Sequence, residues 1–199
     1  MNGFYAAPSD VNLNTAVGVG ALFSNDTGTV NTAVGDAALQ NNTTGGNNTA
    51  VGAQALSSNT GGNQRTALGE SALFSNTTGC CDTASGYGAL LSNTTGSDNT
   101  ASGFTAGVSN PVANSGNIDI GSSGGASDSG TIRIGTSGSQ TTFFAAGIYG
   151  VNLGGSAVSI TSSGQLSSPS SSRRYKEDIH DMSEASRGLM DLRPVTKSN

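Results

Sequence analysis

Apolar and polar positions recur along this chain in a block of fixed length, N-T-A-V-G-x-x-A-L-x-S-N-T-T-G-x-x. The block opens at Asn14, Asn31, Asn48, Arg65, Asp82 and Asn99, six copies of 17 residues with no insertion. Its third position is always Ala, from Ala16 to Ala101, and its ninth is Leu22, Leu39, Leu56, Leu73 and Leu90 before Gly107. The fourth runs Val17, Val34, Val51, Leu68 and then Ser85 and Ser102. A constant period of this kind makes each copy one equivalent coil, burying its apolar face against its neighbours rather than around a globular centre.

Within a copy, Thr15-Ala16-Val17 and Ala21-Leu22-Phe23 predict two short strands, with Gly18-Val19-Gly20 and Asn25-Asp26-Thr27-Gly28 as corners. A helix is excluded because Gly, Asn, Ser and Thr would interrupt every turn. Coils stacked about 4.8 Å apart set like side chains above one another. The second position becomes a Thr column, Thr15 to Thr100, and the twelfth an Asn column, Asn25 to Asn110. The expectation is that Ala, Leu and Val face inward or towards sister chains. The twelfth-position Asn corner lies outside, its side chains hydrogen-bonding turn backbone.

The block decays after Pro111. Asn117-Ile118-Asp119-Ile120-Gly121 and Thr131-Ile132-Arg133-Ile134-Gly135 are near copies with period-two alternation, and Thr141–Val151 and Ala157–Ile160 are further strand candidates. They predict a narrower β stem with its apolar residues set against sister chains. Asp181 as cap, Glu184 reaching back, and Met182, Ala185, Leu189 and Leu192 at helical spacing predict a short C-terminal helix ended by Pro194. The chain therefore divides into a leader (1–13), six β coils (14–115), a β stem (116–167) and a C-terminal piece (168–199). The fold class is all-β, a parallel β-roll or solenoid of 17-residue repeats followed by an interchain stem and a short helix.

Composition adds a deficit. Only 34% of the residues are apolar and Trp is absent, so one chain buries little with which to offset about 1–2 kcal/mol of backbone entropy per residue. Association of several chains along the rod is the simplest remedy. A net charge of −5 offers no basic stripe and excludes nucleic acid on electrostatic grounds. Cys80 and Cys81 are adjacent, a spacing that rarely bridges, and read as exposed turn residues. His180 is the single histidine, too few partners for a zinc site, and the aspartates do not recur in the register that calcium-loaded repeats need. No metal and no cofactor are expected. The N-terminus has no basic-then-apolar signal segment and no apolar run reaches spanning length. The expectation is a segment of something longer, or a chain assembled in a cell and released, acting outside the cell, on its surface or on a virion.

The N-T-A-V-G-x-x-A core resembles the head repeats of trimeric autotransporter adhesins, which form a left-handed parallel β-roll in a three-chain bundle with a somewhat shorter period. It is also similar to the N-T-A-x-G-x-x-A-L repeats of bacterial and phage tail-fibre-domain proteins, over Asn14 to about Ser115. Gly164-Gln165-Leu166, Ser170 to Ile179 and Leu192-Arg193-Pro194-Val195-Thr196 resemble the start of the intramolecular chaperone domain of endosialidases and tail fibres. In that family a C-terminal domain helps three chains fold and is released by self-cleavage. The resemblance places the family's Ser and Lys at Ser171 and Lys176, the scissile bond at Ser170–Ser171, and Arg174 in support of local geometry; Ser172 stands where an Asp often follows. A Ser hydroxyl needs a base such as a Lys of depressed pKa. Without that chemistry, Arg173, Arg174 and Lys176 form a solvated basic cluster beside Glu177 and Asp178. The chain holds only the opening of such a domain.

The resemblances imply a homotrimeric structural fibre, a tail fibre or surface adhesin, that attaches to a host-surface glycan or protein, inserts in no membrane and catalyses at most its own maturation. The alternative from another class is an ice-binding solenoid presenting its Thr ladder on a flat face. A polysaccharide-degrading fibre is disfavoured because no carboxylate pair recurs. Tyr87 and Phe104, at the sixth position of successive copies, offer a small patch on which a sugar could stack.

Overall fold

A computed structural model describes residues 4–5, 12–110, 113–144, 159–160 and 166–167. The chain divides into two compact units, Met1–Thr142 and Phe143–Asn199. Unit one is a parallel β-solenoid of seven turns. Its strands are β1 (Phe4–Tyr5), β2 (Thr15–Val17), β3 (Thr32–Val34), β4 (Thr49–Val51), β5 (Thr66–Leu68), β6 (Thr83–Ser85), β7 (Thr100–Ser102), β8 (Ile118–Ile120) and β9 (Ile132–Ile134). They form one sheet in sequence order. β1 pairs antiparallel with β2, and every later pair is parallel. Like residues pair: Thr49 faces Thr66, Ala50 faces Ala67 and Val51 faces Leu68. In unit two, β10 (Ser159–Ile160) pairs antiparallel with β11 (Leu166–Ser167).

Each coil holds one three-residue strand rather than two. The second apolar run is a turn, because its Leu adopts left-handed backbone, from φ 50° at Leu39 to 53° at Leu73. A residue in that region cannot continue a strand. Coil-to-coil hydrogen bonds persist there all the same, as from Leu39 N–H to Ala55 C=O at 3.0 Å. Two further positions per coil are left-handed, the seventh (Gln54, Ser71) and the seventeenth (Gln64, Cys81). These bends close a coil of only 17 residues.

The apolar core consists of the third-position Ala, the eighth-position Ala and the ninth-position Leu of each coil. Ala50, Ala55 and Leu56 are fully buried, as are Ala67, Ala72 and Leu73 above them. The inward expectation holds for Ala and Leu. Val does not join them: side chains alternate across a strand, so with Ala inside, the flanking Thr and Val columns share the outer face.

The twelfth-position Asn, expected outside, is inside, whereas Thr43 and Thr44 of the same corner are exposed. Asn42, Asn59, Asn76 and Asn93 are all buried. Each donates from Nδ2 or accepts at Oδ1 within its own corner and across coils. Asn59 Nδ2 reaches Asn42 Oδ1 at 2.7 Å and the Gly62 carbonyl at 3.1 Å, while its Oδ1 accepts the Gly62 N–H at 3.0 Å. The turn-satisfying role holds; the location differs because the stack gives each buried amide a polar partner, a like amide one coil away for Asn42 and Asn59 and a charged side chain for Asn76 and Asn93, which offsets desolvation.

No break in the sheet falls at residue 116. β8 and β9, within the expected stem, continue it as further coils of one chain, and the register lengthens to Thr100↔Ile118 and then shortens to Ile118↔Ile132. Their alternation is inverted, with Asp119 buried where Ala stood and Ile120 turned outward. Of the candidate Thr141–Val151, residues 141–144 form no strand and the rest lie outside the described residues; of Ala157–Ile160, Ser159–Ile160 is β10; the expected helix from Asp181 lies outside the described residues.

Candidate functional site

Two regions carry chemistry: the interior ladder where two charged residues replace Asn, and the outer strand face. The first position of each coil is a second buried column, Asn31, Asn48, Arg65, Asp82, Asn99 and Asn117. Its ordinary link runs from a backbone N–H to the Oδ1 of the preceding coil, as from Asn48 to Asn31 at 3.0 Å and Asn117 to Asn99 at 3.1 Å.

Arg65 and Asp82 keep the donor and acceptor balance of this interior by dividing it between them. The Arg65 guanidinium donates to Asn59 Oδ1 at 2.6 Å and to Asn76 Oδ1. Asp82 accepts from Asn76 Nδ2 at 3.1 Å, Asn93 Nδ2 at 3.3 Å, and both the N–H and Nδ2 of Asn99. Asn76 thus bridges the two charges. Burial pushes the Arg65 guanidinium down to about 10, partly offset by the Asp82 charge. It pushes the Asp82 carboxyl up to about 6, against hydrogen bonds from Asn99 and the Arg65 charge. Arg65 Nε finds no hydrogen-bond partner. The arrangement is structural: both side chains are buried, Arg65 at 1% and Asp82 at 0% exposure, and a half-satisfied charge pair is at best neutral for stability.

The pair predicts a pH response. The folded chain holds the Asp82 proton up to about 6, whereas an unfolded Asp releases it near 3.9. This group's contribution is therefore fully present below about pH 4 and is lost as pH rises through 6, a loss of about 3 kcal/mol. Replacing both residues by the column's own residue, Arg65→Asn with Asp82→Asn, is expected to leave stability at pH 7 equal or up to about 4 kcal/mol higher. The advantage over the natural chain should shrink between pH 7 and 4. Urea unfolding across that range reads it; a double variant less stable than the natural chain at pH 7 would show that the charges contribute net stability.

The apolar core ends at coil six. Beyond Ala106, Asp119 is buried against Asn110 Nδ2 at 2.7 Å, and burial raises its carboxyl above the usual range. Arg133 grips Asp128 bidentately, with Nη2 to Oδ1 at 2.6 Å, which holds the Asp128 carboxyl below its usual range. Among the described residues no three His, Cys, Asp or Glu side chains converge to hold a metal ion.

The outer strand face is the surface with the clearest capacity to bind. Its Thr column runs unbroken from Thr15 to Thr100 through paired strands. Beside it Val51, Leu68, Ile120 and Ile134 remain 38% to 56% exposed, and Ile132, in line with the Thr column, is 66% exposed. Tyr87 and Phe104 stack in parallel, ring centroids 5.3 Å apart, and both stay exposed. Cys80 and Cys81 are free thiols at a solvent-facing corner. Ser171, Lys176 and Arg174 lie outside the described residues. The buried charged pair was missed in the sequence, although opposite charges at successive first positions of an Asn column were a readable signal.

Fold and period together define a parallel β-solenoid repeat protein. No family model, no curated protein and no solved structure matches the chain. No helix among the described residues is long and apolar enough to cross a membrane.

Proposed function

We propose that this chain is a structural fibre protein, three copies of which pack along their strand faces to make a rod for attachment to a cell or surface outside the producing cell. One observation carries the reading. After each coil has closed its own core, apolar residues still stand exposed on the strand face that carries the Thr ladder, Val51 and Leu68 in one stretch and Ile120, Ile132 and Ile134 in another, with Ser85 and Ser102 between them. Exposed apolar surface of this kind marks an interaction site, and a face whose Thr column repeats coil by coil from Thr15 to Thr100 suits a partner that repeats with the same period. A second copy of the chain meets that condition at every step. The thin apolar composition and the resemblance of the repeat to trimeric adhesins and tail fibres point the same way.

Light scattering should return three times the chain mass. Leu68→Glu with Ile132→Glu, both on the exposed face, is expected to leave the β spectrum in place and reduce the mass to one chain. A stable, fully folded monomer of the natural sequence overturns the proposal. The attachment partner is a host-surface glycan or protein, with the Tyr87–Phe104 stack as one contact. Any catalysis is confined to self-cleavage of a parent carrying the complete chaperone domain, by Ser171 with Lys176 and Arg174. There Ser171→Ala should abolish a released fragment beginning at Ser171.

The second reading is ice binding, favoured by the Thr ladder lying with the Val column on one outer face. It requires thermal hysteresis that disappears when Thr49 and Thr66 are made bulky. Absence of hysteresis at high protein concentration removes it.

A further inference from the structure

The corner of the fourth coil places two thiols side by side on one surface. Cys81 adopts left-handed backbone, φ 62°, which breaks the alternation that would send neighbouring side chains to opposite sides. The dipeptide is pinned between two coils. Cys80 N–H donates to Ser97 Oγ of the next coil at 3.1 Å, and Cys81 N–H donates to the Asn63 carbonyl of the preceding coil at 3.2 Å. The sulfurs lie 2.9 Å apart, with Cys81 Sγ donating to Cys80 Sγ, and Gln64 Oε1 stands 3.9 Å from Cys81 Sγ. Cys81 is exposed and Cys80 half-buried.

The geometry selects among the chemistries open to a dithiol. An ordinary disulfide separates its Cα atoms by about 4.4–6.8 Å, whereas residues joined by a trans peptide stand about 3.8 Å apart, so closure of the pair is disfavoured. Zinc needs four ligands, and only two sulfurs are present. A linear two-coordinate ion needs its sulfurs on opposite sides, which neighbouring residues on one corner do not offer. A pyramidal three-coordinate thiophile takes two sulfurs from the same side and keeps its third substituent towards solvent.

We propose that Cys80 and Cys81 form a chelating site for a pyramidal thiophilic centre of the monosubstituted trivalent arsenical type. Each thiol displaces one hydroxyl from arsenic: an As–S bond forms, an As–O bond breaks, and the sulfur's proton leaves with the hydroxyl as water. Arsenic stays trivalent and nothing is oxidised or reduced. Two bonds from one pinned corner raise retention about 10²–10⁴-fold over one, because the second bond forms within the molecule.

Phenylarsine oxide tests the site on the full chain. Intact mass should show one phenylarsenic adduct that survives a large excess of glutathione and is stripped by a small dithiol. Cys80→Ser and Cys81→Ser should each lower retention at least about 100-fold. Both changes are mild, since Ser97 and Asp98 fill the equivalent places one coil on; Cys80→Ala and Cys81→Ala replace either Ser variant that loses its β spectrum. An adduct that glutathione removes, or that persists in a single-cysteine variant, overturns the proposal. So does a chain isolated with the two sulfurs already joined.

Discussion

Gly52→Ala is expected to unfold the coils around it, a loss of more than about 4 kcal/mol. A Cβ built on Gly52 would stand 2.5 Å from both the carbonyl carbon and oxygen of Gly69, at a φ of +136°. The obstacle is backbone of the next coil, fixed by Gly69 N–H donating to the Val51 carbonyl at 2.8 Å, so no rotamer change relieves it. The same contact recurs at Gly18, Gly35, Gly69 and Gly86, and those positions are Gly for this reason; at Gly103 the nearest atoms stand 3.4 Å away and only the φ of +127° favours Gly. Gly121→Ala is the control. That residue is also left-handed, at φ +60°, but an added Cβ meets nothing within 4 Å. Its cost should be about 1 kcal/mol, the conformational penalty alone. Urea midpoints of the two variants separate steric collision from backbone preference; equal losses would refute the collision argument.

Leu56→Asp should be comparably severe, more than about 5 kcal/mol. Removing a buried Leu costs about 2–5 kcal/mol through lost transfer energy and a cavity, and the carboxylate adds its desolvation. Leu56 belongs to one continuous cluster with Ala50, Ala55, Ala67, Ala72, Leu39 and Leu73. The damage should therefore spread: hydrogen exchange at Leu39 and Leu73 should accelerate together with that at Leu56, since each coil rests on its neighbours. Faster exchange confined to the coil of Leu56 would show that the coils open independently.

The period, the parallel stacking and the inward Ala and Leu columns were legible because a stack aligns like with like, so a column of constant apolar type is a column of constant environment. The same logic, applied to polar type, misled. A constant Asn reads as surface in a globular protein, yet here Asn42 and Asn59 are buried because stacking supplies each with a matching amide, and Asn76 is buried between Arg65 and Asp82. Whether Val points in or out is not legible from its column, since Val lies beside Ala on the strand and only the pleat decides. The single strand per coil was hidden by Leu22 and its equivalents, whose left-handed backbone is uncommon for a bulky residue. β8 and β9 were legible as strands, but not as further coils of the same sheet, because the spacing changes, although Asn117 and Gly121 stand in the places of Asn99 and Gly103. Of the candidate site, the Thr column and the Tyr87–Phe104 pair were readable; the pinning of Cys80 and Cys81 was not, because it rests on bonds to two other coils.

The division of donors and acceptors between Arg65 and Asp82 also limits how this gene can change in length. A 17-residue segment can be lost or duplicated with the ladders rejoining in register, whereas a change of one or two residues has to be taken up in a corner, as the longer step from Thr100 to Ile118 is. Coils four and five are the exception. Deleting 65–81 alone would leave Asp82 buried without its counter-charge, and deleting 82–98 alone would strand Arg65. These 34 residues are therefore a single heritable unit, and rods that grow or shrink by recombination are expected to gain or lose them together.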